Sequence, residues 1–141
     1  MPGHVLVAED SQLLAALLGD ALRAHGVAAS VQVFRSGEEL LLRFGEHLRA
    51  GEHVALLIVD INLPKLSGLD VGRQARALEA EAGAQACPMV FFSSREEDAE
   101  IASAVAECFP ARFVHKVDGS GPARVALEGA KLMRALLPGA I

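Results

Sequence analysis

Apolar residues along the chain fall into two alternating patterns. Short runs, "HVLVA" (4–8), "AASVQVF" (28–34), "VALLIVD" (54–60), "PMVFFS" (88–93) and "RFVHK" (112–116), are strand candidates. Those at 4–8, 54–60 and 88–93 are almost wholly apolar, as expected of parallel strands covered on both faces. Between and after them, over about 12–25, 37–49, 67–82, 96–107 and 121–136, the chain reads as amphipathic helix. In the first of these, Leu14, Leu17, Leu18, Ala21 and Leu22 recur at three- and four-residue steps. Ser36 with Glu39 and Ser94 with Glu97 have capping-box spacing, and Ser67 with Asp70 is a looser version. Gly26 and Gly83 stand where helices should stop.

Five strand–helix units in 141 residues predict an α/β fold, a flavodoxin-like doubly wound sandwich. Its five parallel strands take the order 2-1-3-4-5 with five helices around them, and its crevice lies at the carboxyl ends of strands 1 and 3. One domain is expected over 1–141, with a core at about 4–136. Only "LPGAI" follows the last helix, so no output domain is expected.

Composition narrows the class. Hydrophobic residues make up 52% and charged residues 22%, which excludes a disordered chain. No apolar run approaches the roughly 20 residues that span a bilayer, and "MPGHVLVAED" lacks the basic start of a signal peptide. The net charge is −5 with Lys and Arg dispersed, so no basic stripe predicts nucleic-acid binding. Cys87 and Cys108 suit neither a disulfide framework nor a zinc site and read as reduced core residues. A cytoplasmic protein without membrane association is expected.

Chemistry concentrates at the predicted crevice. Glu9, Asp10 and Asp60 all fall at the carboxyl ends of strands 1 and 3. Each close pair of carboxylates costs about 4 kcal/mol at an effective dielectric of 20, so such a cluster needs protonation, a basic partner or a cation. All-oxygen ligands with open positions suit Mg²⁺. Lys116 at the end of strand 5 and Ser93 at the end of strand 4 add an ammonium and a hydroxyl to the same edge. Together they predict a phosphoryl-handling site that works by positioning and charge neutralisation. Asp10 or Ser11 has a simpler alternative role, capping the first helix. Pro64 and Gly68 predict a shaped loop around Asp60.

These blocks resemble the receiver domain of two-component response regulators, in its stand-alone, chemotaxis-regulator-like form. "VLVAED" looks like the family's first strand with its acidic pair. "LIVDINLPKLSGLD" matches the phosphoacceptor pattern D-x-x-[LM]-P-x-x-x-G at Asp60, Leu63, Pro64 and Gly68. "VFFSSREED" and "RFVHK" match the strands that end in the family's Thr/Ser and lysine. The resemblance implies that Asp60 takes a phosphoryl group from a histidine kinase or phosphotransfer protein, with self-phosphorylation and self-dephosphorylation activity. Mg²⁺, with Mn²⁺ as an alternative ion, would be held by Asp10, Asp60 and the backbone carbonyl of Asn62, with Glu9 acting mainly through water. Lys116 would pair with the carboxylate and the phosphoryl oxygens. Ser93 and Phe113 would be the switch pair, and the face of helix 4, strand 5 and helix 5 would regulate a downstream target protein or a phosphorylation-linked homodimer.

The sequence departs from the family where Val117 follows Lys116 in place of the usual proline. A cis bond before a non-proline residue costs about 2.5–4 kcal/mol, so a trans Lys116–Val117 bond and a reshaped loop are expected, with Gly119 and Gly121 adding freedom. The stretches "EHLRAGEH" (46–53) and "EAEAGAQAC" (79–87) read as surface segments without a role. A rival reading, prompted by the missing proline, is a phosphorylation-independent receiver-like interaction module. A phosphatase of the haloacid dehalogenase type would need a general acid where Asn62 stands. A flavodoxin would need a phosphate-cradling loop where "AEDSQLL" would repel phosphate.

Overall fold

The computed structural model describes residues 3–27, 30–116 and 121–135. Five strands, β1 (His4–Ala8), β2 (Ser30–Phe34), β3 (Val54–Asp60), β4 (Met89–Ser93) and β5 (Ala111–His115), form one parallel sheet in the order β2-β1-β3-β4-β5. Five helices alternate with them: α1 (Gln12–Ala24), α2 (Gly37–Arg49), α3 (Gly68–Ala82), α4 (Ala99–Glu107) and α5 (Gly121–Ala135). This is the predicted flavodoxin-like topology. Among the described residues, no helix is long and apolar enough to cross a membrane.

Alternation along each strand divides the core in two. Val5 and Val7 of β1, Leu56 and Ile58 of β3 and Val90 and Phe92 of β4 pack with Leu18 and Leu22 of α1 and Val125 and Ala126 of α5. The intervening residues, Leu6, Ala8, Leu57, Val59, Met89 and Phe91, pack with α2, α3 and α4 through Leu40, Phe44, Leu69, Val71, Ala75 and Ile101. Every residue of β3 is buried, as its unbroken apolar run requires, whereas β2 and β5 at the edges are only partly covered.

Helix starts follow the predicted caps with one exception. Ser11, Ser36 and Ser67 accept the backbone N–H of Leu14, Glu39 and Asp70, which leaves Asp10 out of the capping role. Helix α4, however, starts at Ala99 with Asp98 as its cap, not at Glu96 with Ser94. The reason is local. Ser93 Oγ takes the Arg95 N–H at 3.1 Å, and Asp98 Oδ1 takes the Ile101 N–H at 2.9 Å. The stretch between them is held as a loop. Helix α3 ends at Gly83 with φ 67°, where glycine carries no side-chain penalty.

Strand β5 covers 111–115, so Lys116 lies just beyond it, its N–H bonded to Ser93 O at 2.7 Å. The expectations for Val117 and Gly119 fall outside the described residues. Cys87 and Cys108 are free and buried as expected, and burial pushes the Cys87 thiol well above its ordinary value.

Candidate functional site

Strand order brings the predicted residues to one edge. β1 and β3 are neighbours, so Glu9, one residue past β1, stands beside Asp60 at the end of β3. Both carboxylates are buried, 2% and 4% exposed, while Asp10 is exposed. One oxygen from each of Glu9, Asp10 and Asp60 lies within 4.8 Å of the other two. From the far side of β4, Lys116 Nζ reaches both buried acids, 3.3 Å from Glu9 Oε1 and 3.2 Å from Asp60 Oδ2. Its ammonium also sits 4.6 Å from the centre of the Phe92 ring, a favourable cation–π distance.

Charges at this edge do not balance: three carboxylates face one ammonium. The imbalance falls on Glu9, whose carboxyl burial holds above its ordinary value of 4.5, with the Asp60 charge adding to the rise. Hydrogen bonding from the Ser11 N–H and the charge of Lys116 oppose the shift without cancelling it. A group penalised in this way is stabilised by any further positive charge brought beside it.

Asp60 is held at both oxygens. Oδ1 accepts the Asn62 N–H at 2.9 Å, and Oδ2 accepts from Lys116. The Asn62 side chain donates to Ser93 Oγ at 3.2 Å, and Arg95 N–H donates to the same oxygen. Ser93 is fully buried and accepts twice, so its own O–H proton remains available for an acceptor placed in the crevice. This Asn62–Ser93 link was not readable from sequence, since the two residues are 31 positions apart.

The loop after Asp60 is shaped by its proline and glycine. Leu66 N–H bonds back to Pro64 O at 2.8 Å while Lys65 takes a φ of 67°, a tight γ-turn that ordinary residues rarely adopt. Leu63 is buried beneath it. Gly68 then returns the chain to the strand, its N–H bonded to Ile61 O at 2.9 Å. A Cβ at position 68 would fall on the carbonyl oxygen of Asp60 and within 2.7 Å of Ile61 Cα. Backbone cannot rotate away, so Gly68→Ala should cost about 1–3 kcal/mol and displace Asp60. A melt of the variant, several degrees below wild type, checks this; an unchanged Tm would show that the approach is looser than described.

Phe113 is half-buried on β5 and packs against the core cluster on the α2–α4 side of the sheet. Arg95 pairs with Asp98 and Glu100 at 3.3 and 2.8 Å, which offsets the acidic start of α4.

Fold and site together define a class: a doubly wound α/β domain with an acidic, lysine-bridged crevice where the strand order reverses. The chain belongs to the response regulator receiver domain family, whose model matches residues 5–117. It is 34% identical over 80 residues to the osmolarity two-component system protein SSK1 of Saccharomyces cerevisiae, a match covering 57% of this chain and 10% of that protein. The chain thus spans a small part of the length of that curated relative. Among solved structures, the receiver domain of the histidine kinase CKI1 from Arabidopsis thaliana, complexed with Mg²⁺ and BeF₃⁻, superposes with a TM-score of 0.72 at 22% identity, covering 92% of this chain and 90% of that one. A CheY-like receiver domain protein from Methanospirillum hungatei gives 0.72 at 15% identity over 94% of each chain. The phosphorylated cyanobacterial phytochrome response regulator RcpA gives 0.71 at 17% identity, over 100% of this chain and 98% of that one. These similarities to solved structures bear on the fold.

Proposed function

We propose that this receiver domain is a phosphorylation-dependent signalling switch in which Asp60 is the phosphoacceptor. The observation that carries the reading is the shared ammonium: Lys116 bridges Asp60 Oδ2 and Glu9 Oε1 at the mouth of the crevice, with the Asp10 carboxylate alongside. In the proposed step an Asp60 oxygen forms a bond to phosphorus as the N–P bond of a phosphohistidine breaks. The leaving imidazole keeps the bonding electrons and takes up a proton. The phosphohistidine belongs to a histidine kinase or phosphotransfer protein.

The donor set fits a hard divalent ion. Three carboxylate oxygens within 4.8 Å of one another, facing a single ammonium, leave two negative charges uncompensated, and oxygen donors suit Mg²⁺ or Mn²⁺. Asp10, Asp60 and the Asn62 carbonyl would hold it, with Glu9 acting through water. When bound, such an ion supplies the positive charge that lets an anionic phosphoryl group approach an anionic nucleophile. Lys116 pairs with the phosphoryl oxygens once Asp60 is esterified, and the free O–H proton of Ser93 turns toward them. That turn breaks the Asn62–Ser93 hydrogen bond and loosens the Arg95 loop before α4. Phe113 then repacks, and the α4-β5-α5 face changes its affinity for a downstream target protein or for a second copy of the chain.

Incubation with a small phosphodonor and Mg²⁺, read by intact mass, tests the proposal. One phosphoryl group, about 80 Da, should add to the wild-type chain, and a chelator should prevent it. Absence of the adduct under saturating donor and Mg²⁺ would favour the rival reading, a receiver-like module that binds its partners without phosphorylation.

A further inference from the structure

The loop that joins β4 to α4 is tied to β5 at two consecutive residues. Ser93 and His115 are partners in the β4–β5 register. Lys116 N–H bonds to Ser93 O at 2.7 Å, and the half-buried His115 ring reaches the next carbonyl, with Nε2 2.9 Å from Ser94 O. A carbonyl oxygen only accepts, so His115 Nε2 carries a proton and donates it. His115 lies two residues after Phe113, on the same face of β5. Its ring therefore shares the α4 side of the sheet with the proposed switch aromatic.

The loop held in this way is not fully satisfied. Arg95 Nη2 pairs with Asp98 and Glu100, yet Arg95 Nε is buried with no hydrogen-bond partner among the described residues. A buried orphan donor is costly, so neighbouring contacts must hold this arrangement of the loop in place. Strand order gives the direction in which it would yield. β4 lies between β3 and β5, so Asp60 and His115 stand on opposite sides of Ser93. A movement that carries Ser93 toward Asp60 draws the Ser94 carbonyl away from His115. A contact made in one of two states and broken in the other favours the first.

We propose that His115 is a positioning residue whose Nε2–H holds the β4–α4 loop beside β5 and so restrains Ser93 from turning to a phosphoryl group on Asp60. This role presupposes Asp60 as the phosphoacceptor. It gives that switch a brake on the β5 side, separate from the Asn62–Ser93 link on the β3 side. Release of the loop frees Arg95 to find a partner for Nε, and it uncouples β5 from β4 at the point where Phe113 must repack.

The test titrates the full chain, at saturating Mg²⁺, with the phosphoryl mimic BeF₃⁻ and reads affinity by calorimetry. His115→Val removes the donor with a residue that suits a strand, and His115→Gln keeps an N–H at the end of the side chain. The Val variant should bind the mimic about threefold to tenfold more tightly than wild type, the effect of one neutral hydrogen bond, and the Gln variant within about twofold of wild type. A residue needed only for folding would weaken binding instead. With Mg²⁺ alone, the Arg95 amide should exchange with solvent faster in His115→Val than in wild type. Equal or weaker binding by His115→Val, equal tightening by both variants, or unchanged Arg95 exchange would overturn the brake and leave Asp60 as the phosphoacceptor. No binding of the mimic by wild type would overturn the role of Asp60, and the brake with it.

Discussion

Asp60→Asn should remove the proposed phosphoryl adduct completely while leaving the fold at least as stable as wild type. An amide nitrogen or oxygen is no substitute for a carboxylate nucleophile, so no bond to phosphorus forms. One of the two contacts of the side chain survives, because the amide oxygen can still accept the Asn62 N–H now taken by Asp60 Oδ1; the other, from Lys116, is lost, and Lys116 keeps Glu9. Stability should hold or rise for an electrostatic reason. Glu9 is already penalised by burial and by the Asp60 charge, and the substitution removes that neighbouring charge. Intact mass with a phosphodonor, together with melts in chelator, separates the two effects. An adduct that persists in Asp60→Asn would place the nucleophile elsewhere. A large fall in Tm would mean that loss of the adduct reflects unfolding.

Arg76→Met should produce the largest loss of stability. On α3, Arg76 Nη1 pairs with Glu79 Oε1 at 2.8 Å, and the Arg side chain donates to Cys108 O, Cys87 O and Pro110 O at distances from 2.7 to 3.3 Å. Glu79 is 2% exposed, and its second oxygen accepts the Cys87 N–H at 2.8 Å. Removing the guanidinium leaves the buried Glu79 carboxylate without its counter-charge and the Cys87 and Cys108 carbonyls without this donor, while Pro110 O keeps the Met89 N–H, a cost of about 3–5 kcal/mol. For a chain of this size that is a fall in Tm of about 10–15 °C. Adding Glu79→Gln should recover part of the loss by discharging the orphaned acid. A double variant no better than the single one would mean that the unsatisfied carbonyls, rather than the buried charge, set the cost.

The sheet and the crevice were legible because their signals are local. Unbroken apolar runs identified the covered strands. The Asp60–Leu63–Pro64–Gly68 spacing encodes a loop whose tight return rests on that proline and glycine. Once strand order was inferred, Glu9, Asp10, Asp60, Ser93 and Lys116 had to share one edge. What sequence could not yield were interactions whose partners lie far along the chain. Nothing in the spacing of Arg76 and Glu79 sets them apart from any other i,i+3 pair, and only the backbone near residues 87 and 108–110 closes over them. The stretches 46–53 and 79–87 looked like surface, yet they carry His47 and Glu79, both buried. The capping-box spacing of Ser94 and Glu97 predicts an earlier start for α4 than Ala99; the hydroxyl that decides the matter belongs to Ser93 and is occupied by the Arg95 N–H.

The ammonium that joins the two buried acids comes from a residue 107 positions beyond Glu9. A chain emerging from the ribosome therefore exposes Glu9, Asp10 and Asp60 before the lysine that neutralises them. Until β5 docks, like charges at the crevice oppose closure of this edge. The crevice is thus complete only once β5 and the lysine after it are made, and a product truncated before Lys116 would carry the acids without the ammonium that joins them.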